Sequence, residues 1–156
     1  MTSTSTKTTR KKKAPPATIL VVEDNPDQWG LIRWALQKQL PEVEPVWLTN
    51  IAQTLAYLDA CSASAEQFPK LVLLDLYLPR RDDGWQLLEL IKTHHTYRLM
   101  PVVIMSHSDR AEDIEESYVH RGTSYMVKPV DYQQWLDYFQ AFRRYWWHAV
   151  VLPTGR

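Results

Sequence analysis

Leu71-Val72-Leu73-Leu74-Asp75 is a run of four aliphatic residues that stops at a carboxylate. Three similar runs end in polar residues: Ile19-Leu20-Val21-Val22 before Glu23-Asp24, Val102-Val103-Ile104-Met105 before Ser106, and Tyr125-Met126-Val127 before Lys128-Pro129. Continuous apolar runs of this length predict strands buried on both faces, as in a parallel sheet. Because open parallel sheets hold their sites beyond the carboxyl ends of the strands, we expect these polar residues to converge at one edge.

Helical patterns alternate with these strands along the chain. The predicted helices cover residues 26–40, 51–61, 84–95, 109–121 and 131–148, and Asn25-Pro26 is a typical helix start. A further strand is predicted near 44–48, where mixed apolar and polar residues favour the edge of a sheet. Five βα units of this kind predict an α/β fold with a parallel sheet and helices on both faces.

Length and composition predict one globular domain. The chain has 156 residues, of which 45% are hydrophobic and 23% charged, and no apolar stretch approaches the 18 residues of a membrane span. The N-terminus lacks the apolar centre of a secretory signal. Cys61 is the single cysteine, which excludes an internal disulfide and a cysteine-rich metal site. We therefore expect a cytoplasmic protein that does not contact the membrane.

The two ends of the chain differ from the rest in composition. Residues 1–17 carry five basic residues and no acidic one, and their composition predicts a disordered tail with a solubilising role. A contact with nucleic acid or an anionic surface is the alternative. Residues 18–148 form the predicted domain and residues 149–156 a short extension. Neither end is long enough for a DNA-binding module, so we expect no output domain.

The last predicted helix is rich in aromatic residues. Four of them recur at steps of four, three and four, which predicts a stripe facing the core: Trp135, Phe139, Phe142 and Trp146. Tyr138, Tyr145 and Trp147 lie off this stripe, and we expect them to be exposed in an isolated domain. Exposed aromatic residues favour contact surfaces, so we predict a homodimer or partner contact through this helix.

The polar residues at the strand ends predict phosphoryl chemistry. Glu23, Asp24 and Asp75 would repel one another, and a magnesium ion would relieve that repulsion. Lys128 would add a positive charge able to pair with Asp75, and Ser106 would supply a hydroxyl. Such a set suits transfer of a phosphoryl group to a carboxylate, with Asp75 as the nucleophile because it stands alone at the end of its strand.

These stretches resemble the receiver domain of two-component response regulators over about residues 18–148. The matching segments are Ile19–Asn25, Leu73–Pro79, Val103–Ser106 and Ser124–Pro129. The resemblance implies a flavodoxin-like (βα)5 sheet of order 2-1-3-4-5. It implies phosphorylation of Asp75 by a phosphohistidine on a sensor kinase, and a changed surface of the fourth helix, fifth strand and fifth helix.

The resemblance also implies residue roles. Asp24 and Asp75 would bind Mg²⁺ directly, Glu23 through water, and Tyr77 through its backbone carbonyl. Ser106 would hydrogen-bond the phosphoryl group and Lys128 would pair with it. Tyr125 matches the aromatic switch residue that moves with the Ser106 hydroxyl, and Lys128-Pro129 matches a cis peptide bond.

The C-terminal sequence is similar to small stand-alone receivers that serve bacterial phytochrome-type histidine kinases. The similar segments are Lys128–Tyr132, Tyr145–Trp147 and Val150–Pro153. One departure from the family pattern is Gly84, which stands nine rather than eight positions after Asp75, so we expect the preceding loop to bulge.

Two other functions remain open. The chain could be a constitutive interaction module with vestigial phosphorylation. A phosphohydrolase that forms an aspartyl-phosphate is disfavoured, because such enzymes need a second acid soon after the nucleophile and no acid follows Asp75 until Asp82.

Overall fold

The strands of the structure form one parallel sheet. The computed structural model describes residues 16–63 and 68–149, with the backbone alone for 147–149. Within these ranges the strands are β1 (Ala17–Val22), β2 (Val43–Leu48), β3 (Leu71–Asp75), β4 (Val102–Ser106) and β5 (Ser124–Val127). They pair in parallel in the order β2-β1-β3-β4-β5. The predicted topology is confirmed, and the mixed strand β2 lies at the edge.

Each strand is followed by a helix. The helices are α1 (Pro26–Gln39), α2 (Ile51–Cys61), α3 (Arg81–Thr93), α4 (Ala111–Val119) and α5 (Tyr132–Phe142). Side-chain oxygens of Asn25, Asn50 and Asp131 accept hydrogen bonds from backbone N–H groups of α1, α2 and α5. These caps satisfy N–H groups that have no partner inside the helix and fix where it begins. The start and end predicted for α2 are confirmed.

Alternate residues of the central strands face the two halves of the core. Leu20, Val22 and Leu74 pack with α2 and α3 on one side of the sheet. Ile19 and Val21 pack with α1 and α5 on the other. The period of two in side-chain direction explains how one aliphatic run supplies both halves. The aromatic stripe of α5 is confirmed as part of the second half, since all four of its residues are buried.

Helix α3 begins earlier than predicted. Residues 81–83 form its first turn and not a bulged loop, so that expectation is wrong. The cause is a cap: the Asp83 carboxylate accepts a hydrogen bond from the Arg80 backbone N–H at 3.2 Å. Gly84 then lies inside the helix, where an added Cβ would stand 1.8 Å from the Leu76 carbonyl oxygen.

The C-terminal part of the structure corrects two further expectations. The last helix was predicted to run to residue 148, but α5 ends at Phe142 and a π-helical segment, Arg143–Ala149, follows it. Tyr138 is not exposed: its side chain is half-buried and packs against the second half of the core. Tyr145 is exposed as expected, whereas the side chain of Trp147 lies outside the described residues. Residues 1–15 and 150–156 also lie outside them, so the predicted tail and most of the extension are not described.

No helix in the described ranges combines the length and the apolar character needed to cross a membrane.

Candidate acidic site at the carboxyl edge of the sheet

Three carboxylates meet where β1 and β3 end. Val22 pairs with Leu74 across these neighbouring strands, so Glu23 and Asp75 leave the sheet side by side. Glu23 is fully buried and Asp75 is 6% exposed, while Asp24 is the most accessible of the three. One oxygen of each lies within 4.8 Å of the others. The structure therefore brings together the acids predicted to bind the metal.

Lys128 reaches the same cluster from the end of β5. Its ammonium nitrogen lies 2.7 Å from Glu23 Oε2 and 3.4 Å from Asp75 Oδ2. The predicted contact with Asp75 is present, and the closer partner is Glu23. The backbone N–H of Lys128 donates to the Ser106 carbonyl at 2.7 Å, which fixes the lysine beside the end of β4. In the described part of the chain this lysine is the cation paired with the cluster.

Burial and mutual repulsion disfavour the ionised forms of the carboxyl groups in the cluster. Burial raises the pKa of Asp75 to about 7; the Lys128 charge opposes this shift, and the Glu23 carboxylate adds to it. The pKa of Asp24 is also raised, first by burial and then by Glu23. Ionised carboxylates this close need a further cation, because one ammonium cannot neutralise three of them.

Trp47 is a residue of the site that the sequence analysis missed. Its indole N–H donates to the Glu23 carbonyl oxygen at 2.7 Å, and its ring stacks on Trp29 with 5.5 Å between centroids. The Glu23 backbone N–H donates to the Leu48 carbonyl, and the Asn25 N–H to the Glu23 carboxylate. The acid pair is therefore held by the edge strand β2 as well as by β1. A tryptophan near the end of an edge strand gave no signal of this role.

The hydroxyl side of the site lies at the end of β4. Ser106 is fully buried, and its Oγ accepts a hydrogen bond from the Ser108 backbone N–H at 3.1 Å. The Tyr125 hydroxyl donates to the Ser108 carbonyl oxygen at 2.7 Å. The predicted hydroxyl residue and the predicted switch residue therefore both contact Ser108, which lies in residues 107–110, the segment we call the β4–α4 loop.

Tyr77 stands between the acids and α4. Its backbone N–H donates to Asp75 Oδ1 at 3.3 Å, and its hydroxyl donates to Asp113 Oδ2 at 3.4 Å. The side chain is 38% exposed, so it forms part of the mouth of the site. Its carbonyl as a metal ligand stays a prediction.

The expected cis peptide bond is in a different place. Among the described residues the cis bond is Leu78–Pro79, and the prediction of a cis bond at Lys128–Pro129 is wrong. The tertiary amide before a proline admits both isomers at similar free energy, so a Lys-Pro pair does not by itself determine which one is adopted.

Comparison with known proteins identifies the family. Residues 19–140 match the response regulator receiver domain. The chain belongs to this family.

Three relatives resemble this receiver domain over most of its length. A probable methanogenesis regulatory protein, FilR2 of Methanothrix harundinacea, is 31% identical over 89% of the chain and 90% of FilR2. The response regulator Rcp1 of Synechocystis is 29% identical over 90% of the chain and 96% of Rcp1. The phosphorylated cyanobacterial phytochrome response regulator RcpA is 32% identical, with 88% of the chain and 99% of RcpA covered and a TM-score of 0.78.

The donor set of this receiver domain fits a hard divalent cation. Its cluster consists of carboxylate oxygens, with Asp24 on the open side where water can complete the coordination. Receiver domains bind Mg²⁺ or Mn²⁺ in their acidic pocket. Rcp1 has been solved in a Mn²⁺-bound form, to which this chain is 28% identical with a TM-score of 0.74. The acids and the lysine thus form one cluster at the carboxyl edge of the sheet, where strand β4 also ends in Ser106.

Proposed function

We propose that this receiver domain is a single-domain response regulator phosphorylated on Asp75 in the presence of Mg²⁺. The observation that carries the proposal is the cluster itself: Asp75 lies at the end of β3, with Glu23 and Asp24 on one side and Lys128 3.4 Å away. Asp75 is only 6% exposed, the Lys128 ammonium beside it can stabilise negative charge, and the neighbouring acids can hold a divalent cation. The protein is then a signalling phosphoacceptor and not a multiple-turnover enzyme.

Each side chain has a separate part in the reaction. An Asp75 oxygen attacks the phosphorus of the donor, and the donor's leaving group departs in line with it. Mg²⁺, held by Asp24 and Asp75 and through water by Glu23, would neutralise charge on the phosphoryl oxygens. Lys128 has three N–H donors, so it can keep its contact with Glu23 while another N–H binds a phosphoryl oxygen. The Ser106 hydroxyl donates a hydrogen bond to a further phosphoryl oxygen.

The donor we propose is a phosphohistidine on a cytoplasmic sensor kinase of the phytochrome type. The name of RcpA supports the phytochrome assignment. FilR2 is named for a different process, the regulation of methanogenesis.

The output we propose is a change in dimerisation or partner binding. Three apolar side chains are exposed on α4 and β5: Tyr118, Val119 and Val127. We call this surface the α4–β5 face. Tyr145, after α5, is also exposed and extends the aromatic surface of the last helix. Exposed apolar groups of this kind favour a contact with a second copy of the chain.

The experiment is phosphorylation by a small phosphodonor such as acetyl phosphate, with Mg²⁺ present. Asp75→Asn removes the nucleophilic oxygen, so we expect labelling to be lost completely. Asp82→Asn, at an exposed position in the first turn of α3, is the matched control and should label like the wild type. Mass spectrometry of the intact chain measures the added phosphoryl group. Labelling of the Asp75→Asn variant would overturn the assignment of the phosphoacceptor.

A further inference from the structure

Asp113 is a buried carboxylate outside the acidic cluster. It lies in the first turn of α4 and is 1% exposed. Buried carboxylates are costly unless they are paired and hydrogen-bonded, and Asp113 has three partners. The Arg81 guanidinium pairs with its Oδ1, and the hydroxyls of Ser108 and Tyr77 donate to its Oδ2.

The three partners come from two separate segments that border the site. Tyr77 and Arg81 belong to the β3–α3 connection and the start of α3, just after the proposed phosphoacceptor. Ser108 belongs to the β4–α4 loop. Asp113 therefore joins these two segments to each other and to α4. Arg81 also pairs with Glu116, 2.9 Å away and one turn further along α4.

The link continues from Ser108 to the proposed phosphoryl-binding hydroxyl. The Ser108 side chain donates to Asp113, its backbone N–H donates to Ser106 Oγ, and its carbonyl accepts from Tyr125. One serine thus has contacts with the anchor, the site hydroxyl and the switch residue. Displacing Ser108 would change the position of Ser106 Oγ, whereas Glu23 and Lys128 are held by other contacts.

We propose that Asp113 is a positioning residue: it anchors the β4–α4 loop to Arg81 so that Ser106 is held ready for the phosphoryl group. This inference rests on the proposed function, because it assigns Asp113 a role in the same site. Asp113 does not touch the reacting atoms and acts through Ser108. Arg81, from the stretch in which this chain has one residue more than the family pattern, is the second half of the anchor.

Binding of beryllofluoride, a mimic of the phosphoryl group, tests the proposal. The full chain is titrated with beryllium and fluoride at saturating Mg²⁺, and calorimetry gives the dissociation constant. We expect Asp113→Asn and Arg81→Gln each to weaken beryllofluoride binding about fivefold, the factor equivalent to one hydrogen bond of ordinary net strength. Mg²⁺ affinity in the absence of beryllofluoride should not change, because the carboxylate ligands lie outside the anchor and Tyr77 contacts Asp113 through its side-chain hydroxyl, not through its backbone carbonyl.

Glu112→Gln is the matched control, since Glu112 is an exposed neighbour paired with Arg110 at 3.7 Å. It should bind both ligands like the wild type. Wild-type affinity for beryllofluoride in both anchor variants would overturn the proposal, and so would equal weakening of Mg²⁺ and beryllofluoride, which indicates general loss of structure. If Asp113→Asn does not fold, the half-exposed Arg81→Gln decides the question. A wild-type chain that binds no beryllofluoride overturns the proposed function and this inference with it, whereas a wild-type chain that binds beryllofluoride no better than the two anchor variants overturns this inference alone.

Discussion

Helices α4 and α5 flank β5, but they are attached to the domain by different kinds of contact. Helix α5 buries Trp135, Phe139 and Phe142, which pack together and against α1. All nine residues of α4 are described, and the two that are buried, Asp113 and Ser117, are polar. Apolar packing is lost only at a large cost, whereas polar partners can be exchanged for others or for water. Helix α4 is therefore the element that can move without opening the core.

The largest expected effect is on stability at α5. Phe139→Ala should lower the free energy of unfolding by about 4 kcal/mol, because it leaves a cavity in a fully buried apolar cluster. Ser117→Ala in α4 should cost about 1 kcal/mol, the net value of its hydrogen bond to the Ile114 carbonyl. Urea unfolding of both variants measures the difference. Similar losses in the two variants would contradict the distinction between the helices.

A smaller effect on stability is expected from the ionisation of Asp75 in the acidic cluster. The pKa of Asp75 is about 7 in the folded chain and near 4 when unfolded. As pH falls through 7 the folded state takes up a proton and the unfolded state does not, so stability rises on acidification and is lost as pH rises. Without metal, the wild type should gain about 1 kcal/mol relative to Asp75→Asn between pH 8 and pH 6.

Thermal or urea unfolding in a chelating buffer at the two pH values measures this change. The comparison with Asp75→Asn removes contributions from other groups, such as His107, whose pKa burial lowers. Parallel pH profiles for the two proteins would contradict the raised pKa of Asp75.

The smallest effect on stability is expected on the outer surface of α4. Val119 is 76% exposed, so Val119→Ser should change the free energy of unfolding by less than about 0.5 kcal/mol. If the α4–β5 face binds a second copy, the same variant should lower the fraction of dimer in the beryllofluoride-bound protein. Light scattering after gel filtration measures that fraction. Leu99→Ser, at an exposed position in the α3–β4 connection, is the control that should leave it unchanged.

Unaltered mass of the wild type with and without beryllofluoride would instead favour the constitutive interaction module.

The sheet order and the convergence of Glu23, Asp75 and Lys128 could be predicted, because both follow from aliphatic runs and the polar residues that end them. The start of α3 could have been predicted from Asp83, an acid at the third helical position, although the position of Gly84 in the family pattern favours a later start. The Trp47 and Asp113 contacts could not be predicted. Trp47 contacts Glu23, and Asp113 contacts Tyr77 and Arg81, across long stretches of sequence, and neither residue type has a pattern that marks its partner.

The close contact between Gly84 and the Leu76 backbone links the number of residues before Gly84 to the direction in which the first turn of α3 faces. Gly84 must stay against the Leu76 backbone, since no larger residue fits there. The number of residues before Gly84 therefore sets which side chains of the first turn face α4. Deleting one residue between Arg80 and Gly84 would rotate the residues that precede the deletion by about 100° around the axis of α3. A chain shortened in this way keeps Glu23, Asp24, Asp75 and Lys128, but a side chain other than Arg81 faces α4.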